Sequence, residues 1–431
     1  MAREYKDSGI EWIGEIPKEW KVTLSKRLFT IVAGATPKTD NVDLWDGDIS
    51  WITPADYKTE DKFVCSGRRN LSEKGKNSCA TYLLPTNSIV FSKRAPIGLV
   101  AITAKELCTN QGCLGCIPDG QLIVLFYYYA MSAFTEQFEL LGTGTTFKEI
   151  SATKFANFPF PYPPLHEQQK IAAYLDKVCG EVDEMIALQE QMIEELKAYK
   201  QSVITEAVTK GLNPKAPMKD SGIEWIGEIP EKWKIKPLKW ILRKPLQYGA
   251  NESGISFNES LPRYVRITDI LNNTLREDLQ KQSLTEEQAA GYILKDNDIL
   301  FARSGGTVGK AFIYKSKYGR CAFAGYLIRA QIDNNNNSDY IYYYTQSSAY
   351  EEWKRQIFIQ ATIQNIGADR YSLLEIPLPP LSEQQSIASY LDTKCSEIDA
   401  LIAIKQQKTE ELKDYKKSVI YEYVTGKKEV N

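Results

Sequence analysis

The chain has 431 residues, 43% of them hydrophobic and 25% charged, enough for two globular domains with connecting helices. No run of about 18 apolar residues suggests a membrane span, and the start MAREYKDSG lacks the apolar core of a signal peptide, so no membrane partner and a cytoplasmic location are expected. A net charge of −2 excludes a uniformly basic nucleic-acid binder, yet a basic face offset by acidic helices remains compatible with it.

The string KDSGIEWIGEIP at residues 6–17 returns at 219–230, about half a chain later, so one architectural unit is laid down twice. Residues 18–162 read as a mixed α/β domain, with β-rich runs at 88–91 and 99–103 and an aromatic helical segment at 121–134. Cys108, Cys113 and Cys116 cluster here without a second Cys-x-x-Cys pair, and the single histidine, His166, lies elsewhere. Buried, reduced thiols are the expectation, with no metal site.

A long helix is expected from Pro164. Leu175, Val178, Val182, Met185, Met192, Leu196, Tyr199 and Val203 step by three and four, with Gln189 as the one polar interruption, over roughly 40 residues, about 60 Å at 1.5 Å per residue. Gly211 and Pro214 stop it. After the second KDSGIEWIGEIP, residues 231–378 read as another mixed α/β domain. Its β-rich runs lie at 264–267 and 298–302, its helical segment at 339–353, and a solvated Asn loop at 334–337. Then PPLHEQQKIAAYLD (163–176) recurs as PPLSEQQSIASYLD (379–392), and AYKQSVITEAVT (198–209) as DYKKSVIYEYVT (414–425), both 216 residues on. Leu391, Ile398, Leu401, Leu412, Tyr415 and Val419 repeat the apolar stripe up to Gly426.

A single striped helix of this length needs a partner, and the repeat supplies one. The expected fold class is α+β: two mixed α/β domains joined and spaced by two long helices packed as an antiparallel coiled coil, with pseudo-two-fold symmetry. A homodimeric coiled coil is the alternative. The expected segments are 1–162, 163–212, 213–378 and 379–431.

Enzyme signatures fail. GGTVGK (305–310) has Ser304 where a P-loop needs its first glycine and Ala311 where it needs Ser or Thr. Tyr162-Pro163-Pro164-Leu165 and Leu378-Pro379-Pro380-Leu381 lack the polar and aromatic residues of an amino-methyltransferase motif, and read as stiff entries into the helices. With one histidine, no Ser/His/Asp or Cys/His arrangement is available. What remains is binding chemistry. Lys38, Lys93, Arg94, Thr145, Thr146 and Lys148 in the first domain sit beside turns or glycines. So do Arg263, Arg266, Arg303, Ser304, Lys310, Gln364, Asn365 and Arg370 in the second. Arg and Lys grip guanine edges or phosphates, while Asn and Gln read adenine. Subtracting 216 places Thr362 on Thr146 and Gln364 on Lys148, so the domains present unlike polar residues at one shared point.

Over its whole length the chain resembles the specificity subunit of type I restriction-modification systems. The resemblance rests on IEWIGEIP (223–230) and PPLSEQQ (379–385) with their first copies. It extends to GATP (34–37), GDISWI (47–52) through Asp56, RAPIG (94–98), RITDI (266–270), DIL (298–300) and RSG (303–305). It implies a non-catalytic subunit whose two target-recognition domains bind the halves of a split, asymmetric double-stranded DNA site. It further implies docking of two methyltransferase subunits and recruitment of restriction (translocase) subunits. No cofactor is expected on this chain; S-adenosylmethionine, ATP and Mg are implied on the partners. Spacing and docking would fall to helix residues such as Leu175, Val182, Leu196, Tyr199, Leu391, Ile398, Leu412 and Tyr415.

Overall fold

The computed structural model describes residues 3–144, 148–271, 273–359 and 365–430. Two compact units emerge: residues 1–189 with 407–431, and residues 190–406. Each contains one mixed α/β domain and a stretch of each long helix, Leu165–Lys210 and Leu381–Val424. Among the described residues no helix is long and apolar enough to cross a membrane.

In the first unit a five-stranded sheet runs in the order Phe29–Ala33, Cys113–Pro118, Ile89–Ser92, Val100–Thr103, Phe63–Val64, antiparallel except for the last pair. Ile89–Ser92 and Val100–Thr103 are buried along their whole length, which explains their continuous apolar character. The helix Val124–Ala133 covers one face with Phe126, Tyr127 and Met131. Cys108, Cys113 and Cys116 are buried, and burial pushes the Cys108 and Cys113 thiols up to about 11 and about 12.

The second unit has two four-stranded sheets. One is fully antiparallel, in the order Leu242–Tyr248, Leu327–Ile332, Ile299–Ala302, Ala311–Ile313, so Leu242–Tyr248 is an edge strand. The expected 264–267 strand is Arg263–Val265 followed by a turn of 3₁₀ helix, and the 339–353 segment is two helices, Ser338–Tyr344 and Ser348–Ile359. The Asn run is more than a solvated loop: the Asn337 side chain accepts from the Tyr340 N–H at 2.8 Å, and Asn336 accepts from Gln384 at 3.0 Å.

The repeated strings have repeated duties. Gln168 donates to the Pro163 carbonyl at 2.9 Å and accepts from the Ile123 N–H at 3.0 Å. Gln384 donates to the Pro379 carbonyl at 3.0 Å and accepts from the Asn337 N–H at 2.8 Å. Both glutamines are 1% exposed, so each stitches its helix entry to its domain through bonds that water cannot replace. The hydroxyls of Tyr129 and Tyr343 donate to Asp176 and Asp392, 3.0 and 2.6 Å away. The two IEWIGEIP segments cover helix ends: Tyr421 donates to the Trp12 carbonyl at 2.6 Å in the first unit, and Ile226 and Ile229 are buried in one cluster with Ile204, Ala207 and Val208 in the second.

The helices run antiparallel in each unit. Lys416 pairs with Asp183 at 2.7 Å in the first, and Lys200 with Asp399 at 2.6 Å in the second. These are the same pair with helices exchanged, since 216 residues separate Asp183 from Asp399 and Lys200 from Lys416. Leu175, Val182, Leu391 and Ile398 are buried, and Leu196 and Leu412 half-buried, as the stripe requires. Tyr199 and Tyr415 are not on that seam. They are 58% and 52% exposed, and Met185, Met192 and Leu401 are exposed with them. Between residues 175 and 207 the buried positions of the first helix are 175, 179, 182, 193, 204 and 207, with Ile186 and Leu196 half-buried, a heptad seam one position round from the exposed Met185, Met192 and Tyr199.

Candidate nucleic-acid interface

In the first unit the strand Ile89–Ser92 ends in the turn carrying Lys93 and Arg94, with a cis bond between Ala95 and Pro96. A second segment returns beside it: Arg94 forms a bridge with Glu149, and the Ile150 N–H donates to the Lys93 carbonyl at 2.9 Å. Thr143 also bridges Glu149. Lys148, next to Glu149, is exposed, whereas Thr145 and Thr146 lie outside the described residues.

The second unit builds the same crossover from other side chains. Ser304 bridges Asn365, and the Ile366 N–H donates to the Arg303 carbonyl at 2.9 Å. Glu149 and Asn365 are 216 residues apart, as are Ile150 and Ile366, so the repeat extends into the loops where sequence similarity has vanished. Gln364, and the Thr362 aligned with Thr146, lie outside the described residues.

The two crossovers differ in charge. Glu149 receives Lys93 at 2.8 Å and Arg94 at 2.9 Å, and the hydrogen bond from Lys93, above all, holds its carboxyl below the usual range. In the second unit Asn365 stands in the glutamate's place. Arg303 lies over the Tyr248 ring, 5.0 Å from its centroid, Tyr326 is 63% exposed beside it, and Lys310 is exposed with no ion-pair partner among the described residues. Gly305 and Gly306 have open space where a Cβ would stand. GGTVGK is the turn of an antiparallel hairpin between Ile299–Ala302 and Ala311–Ile313, so the strand-to-helix geometry of a P-loop is absent there.

Other predicted residues fall as follows. Lys38 is exposed on a loop joined to the Lys93 turn through the segment around Gln111, which bonds Thr36. Arg370 is exposed on the short helix Ala368–Ser372, next to the crossover. Arg263 and Arg266 are corrections to the expectation that their side chains leave the surface. Arg263 is 8% exposed, pairing with Glu277 at 2.7 Å and donating to the Arg276 carbonyl. Arg266 folds back on Asp269 with bonds of 3.0 and 2.8 Å. Glu149, Tyr248 and Tyr326 were missed. A signal existed for the turn beside Tyr248: Gly34-Ala35 recurs as Gly249-Ala250, 215 residues on, and both glycines press against backbone where a Cβ would clash.

Two loops at equivalent positions on one frame, dressed with unlike side chains, suit the reading of two unlike sequences. A family model described as "Type I restriction modification DNA specificity domain" matches residues 17–198 and 230–414. The chain belongs to this family. Among curated relatives, the type I restriction enzyme MjaIX specificity subunit of Methanocaldococcus jannaschii is 30% identical over 318 residues, covering 72% of this chain and 71% of that one. The EcoKI specificity subunit of Escherichia coli is 22% identical over 90% of this chain and 86% of its own. Among solved structures, a chain from work on complex assembly and conformational transition of the type I R-M system matches with TM-score 0.73 at 16% identity. It covers 95% of this chain and 98% of that one. The HsdS subunit from Thermoanaerobacter tengcongensis matches over the same shares with TM-score 0.52. Both share the fold of this type I specificity-family member.

Proposed function

We propose that this chain is the DNA specificity subunit of a type I restriction-modification complex, and that it does no catalysis itself. Each mixed α/β domain binds one half of a split, asymmetric duplex site. The first reads through Lys93, Arg94, Lys148 and their neighbours; the second through Arg303, Ser304, Lys310, Asn365 and their neighbours. The observation that carries this reading is the duplicated crossover with exchanged side chains in a chain of this family. A base-reading device has to vary at fixed backbone positions.

The long helices set the separation of the half-sites and dock two methyltransferase subunits. S-adenosylmethionine, ATP and Mg belong to those methyltransferase and restriction subunits, and the complex works in the cytoplasm. Support for two docking positions comes from exposed apolar residues that recur 216 residues apart: Met185 and Leu401, Leu188 and Ile404, Tyr199 and Tyr415. Buried seam residues such as Leu175 and Leu391 hold the helices in place.

Exchanging residues 18–162 for the matching domain of another family member tests modularity. The methylated motif is expected to change in one half and keep the other half. Change in both halves, or loss of all preference in a folded hybrid, would overturn the assignment.

A further inference from the structure

From Lys232 to Asn251 the sequence holds six basic residues and no acidic one: Lys232, Lys234, Lys236, Lys239, Arg243 and Lys244. In a chain of net charge −2 this is a local concentration of positive charge. None of the six forms an ion pair among the described residues, whereas Lys93 and Arg94 in the first unit are both held by Glu149. Lys239 and Lys244 are exposed, and Arg243 is exposed while donating to Asn334 at 2.7 Å. Between the lysines stands Trp240, 67% exposed.

Lys239, Trp240, Arg243 and Lys244 occupy a 3₁₀ turn, Leu238–Ile241, and the edge strand Leu242–Tyr248, while Lys234 and Lys236 lie on the preceding strand Lys234–Pro237. The strand ends at Tyr248, whose ring lies under Arg303 and whose hydroxyl accepts from the Ala368 N–H at 3.0 Å. Lys239, Arg243 and Lys244 also line an open groove of about 410 Å³ against Ala368, Asp369 and Ser372 of the short helix that carries Arg370. Asp369 is the one acid lining it. The cations thus form a track that runs into the crossover. From Lys244 to Tyr248 it extends about 13 Å at 3.3 Å per residue, close to four base-pair rises of duplex.

We infer that this edge strand and turn are a phosphate-binding track, gripping the DNA backbone beside the half-site read by the second domain without reading its bases. The inference rests on the DNA-binding reading above and adds a division of labour: the crossover specifies and the edge strand anchors. Lysine on an exposed flexible stem suits phosphate, and Trp240 offers a face to the sugar edge.

The test is binding of the full chain to a mixed-sequence duplex of 40 base pairs, at salt from 50 to 200 mM. It compares the parent with the Lys239→Ala/Lys244→Ala double variant and with the double Lys→Arg variant. Losing two phosphate contacts should flatten the log-log salt slope by about 1.8, so the variant's deficit differs about twelvefold between the ends of the range. The arginine variant should restore the slope, and the ranking of different duplexes should not change. An unchanged slope, or a changed ranking, overturns the inference. So does failure of the parent to bind at 50 mM, because the track is built into the free chain. An unchanged slope with new self-association would assign the lysines to protecting a sheet edge. Loss of the specificity reading is told apart by genomic methylation, which can be independent of this chain while the duplex binding remains.

Discussion

Substituting Glu149 by Gln separates what this residue does for the fold from what it denies to DNA. Its carboxylate receives Lys93 and Arg94 at 2.8 and 2.9 Å, with side chains 14%, 45% and 34% exposed for Lys93, Arg94 and Glu149. Ion pairs this close to solvent are worth about 0.2 to 1 kcal/mol each, so Glu149→Gln should cost the first domain roughly 1 kcal/mol. The carboxyl is held below its usual range, so its contribution is fully present above the unfolded value of about 4.3 and fades as pH falls through the lower folded value. Parent and variant should therefore differ in stability at neutral pH and converge in acid. Removing the negative charge also frees one cation for phosphate. The log-log salt slope of duplex binding should steepen by about 0.9, so the variant's advantage over the parent is about 3.5-fold larger at 50 mM than at 200 mM salt. Fluorescence anisotropy with the full-length protein, alongside thermal melts at pH 7 and pH 3.5, measures both effects. Weaker binding at every salt in a folded variant would refute the argument, because Glu149 would then be contacting a base rather than restraining the lysine and arginine.

Gln384→Leu leaves the Pro379 carbonyl, the Asn337 N–H and the Asn336 side chain without their buried partner. It should cost at least about 2 kcal/mol and lower the melting temperature of the second unit by about 4 to 8 °C; a melt within 1 °C of the parent would contradict the stitching role. Inserting four residues beside Gln189 should change the spacer between the methylated half-sites and leave both half-sites as they were. A folded insertion variant with an unchanged spacer removes the ruler from the account.

The frame was legible because its strings recur verbatim: IEWIGEIP, PPL-EQQ and the YLD that carries Asp176 and Asp392 all mark contacts the structure repeats. The helix stripe was legible only in part. Apolar residues occupy two adjacent heptad rows, and polar Lys200 and Lys416 sit half-buried on the true seam while Tyr199 and Tyr415 face outward. A count of apolar steps cannot separate such rows. Arg94, Arg303 and Asn365 could be named from sequence as candidates for binding, but the pairing of Glu149 with Lys93 and Arg94 could not be seen, since it joins segments 55 residues apart. Arg263 and Arg266 read like surface cations because the acids that hold them inward, Glu277 and Asp269, carry no sequence mark of that pairing.

In its proposed role this chain chooses where a methyltransferase acts. A base-resolution map of methylated adenines in the host genome, with and without this gene, tests it most directly. Loss of methylation at one split, asymmetric motif is the predicted result, giving both half-sites and the spacer at once. An unchanged map in cells that express the protein together with an active methyltransferase partner would contradict it.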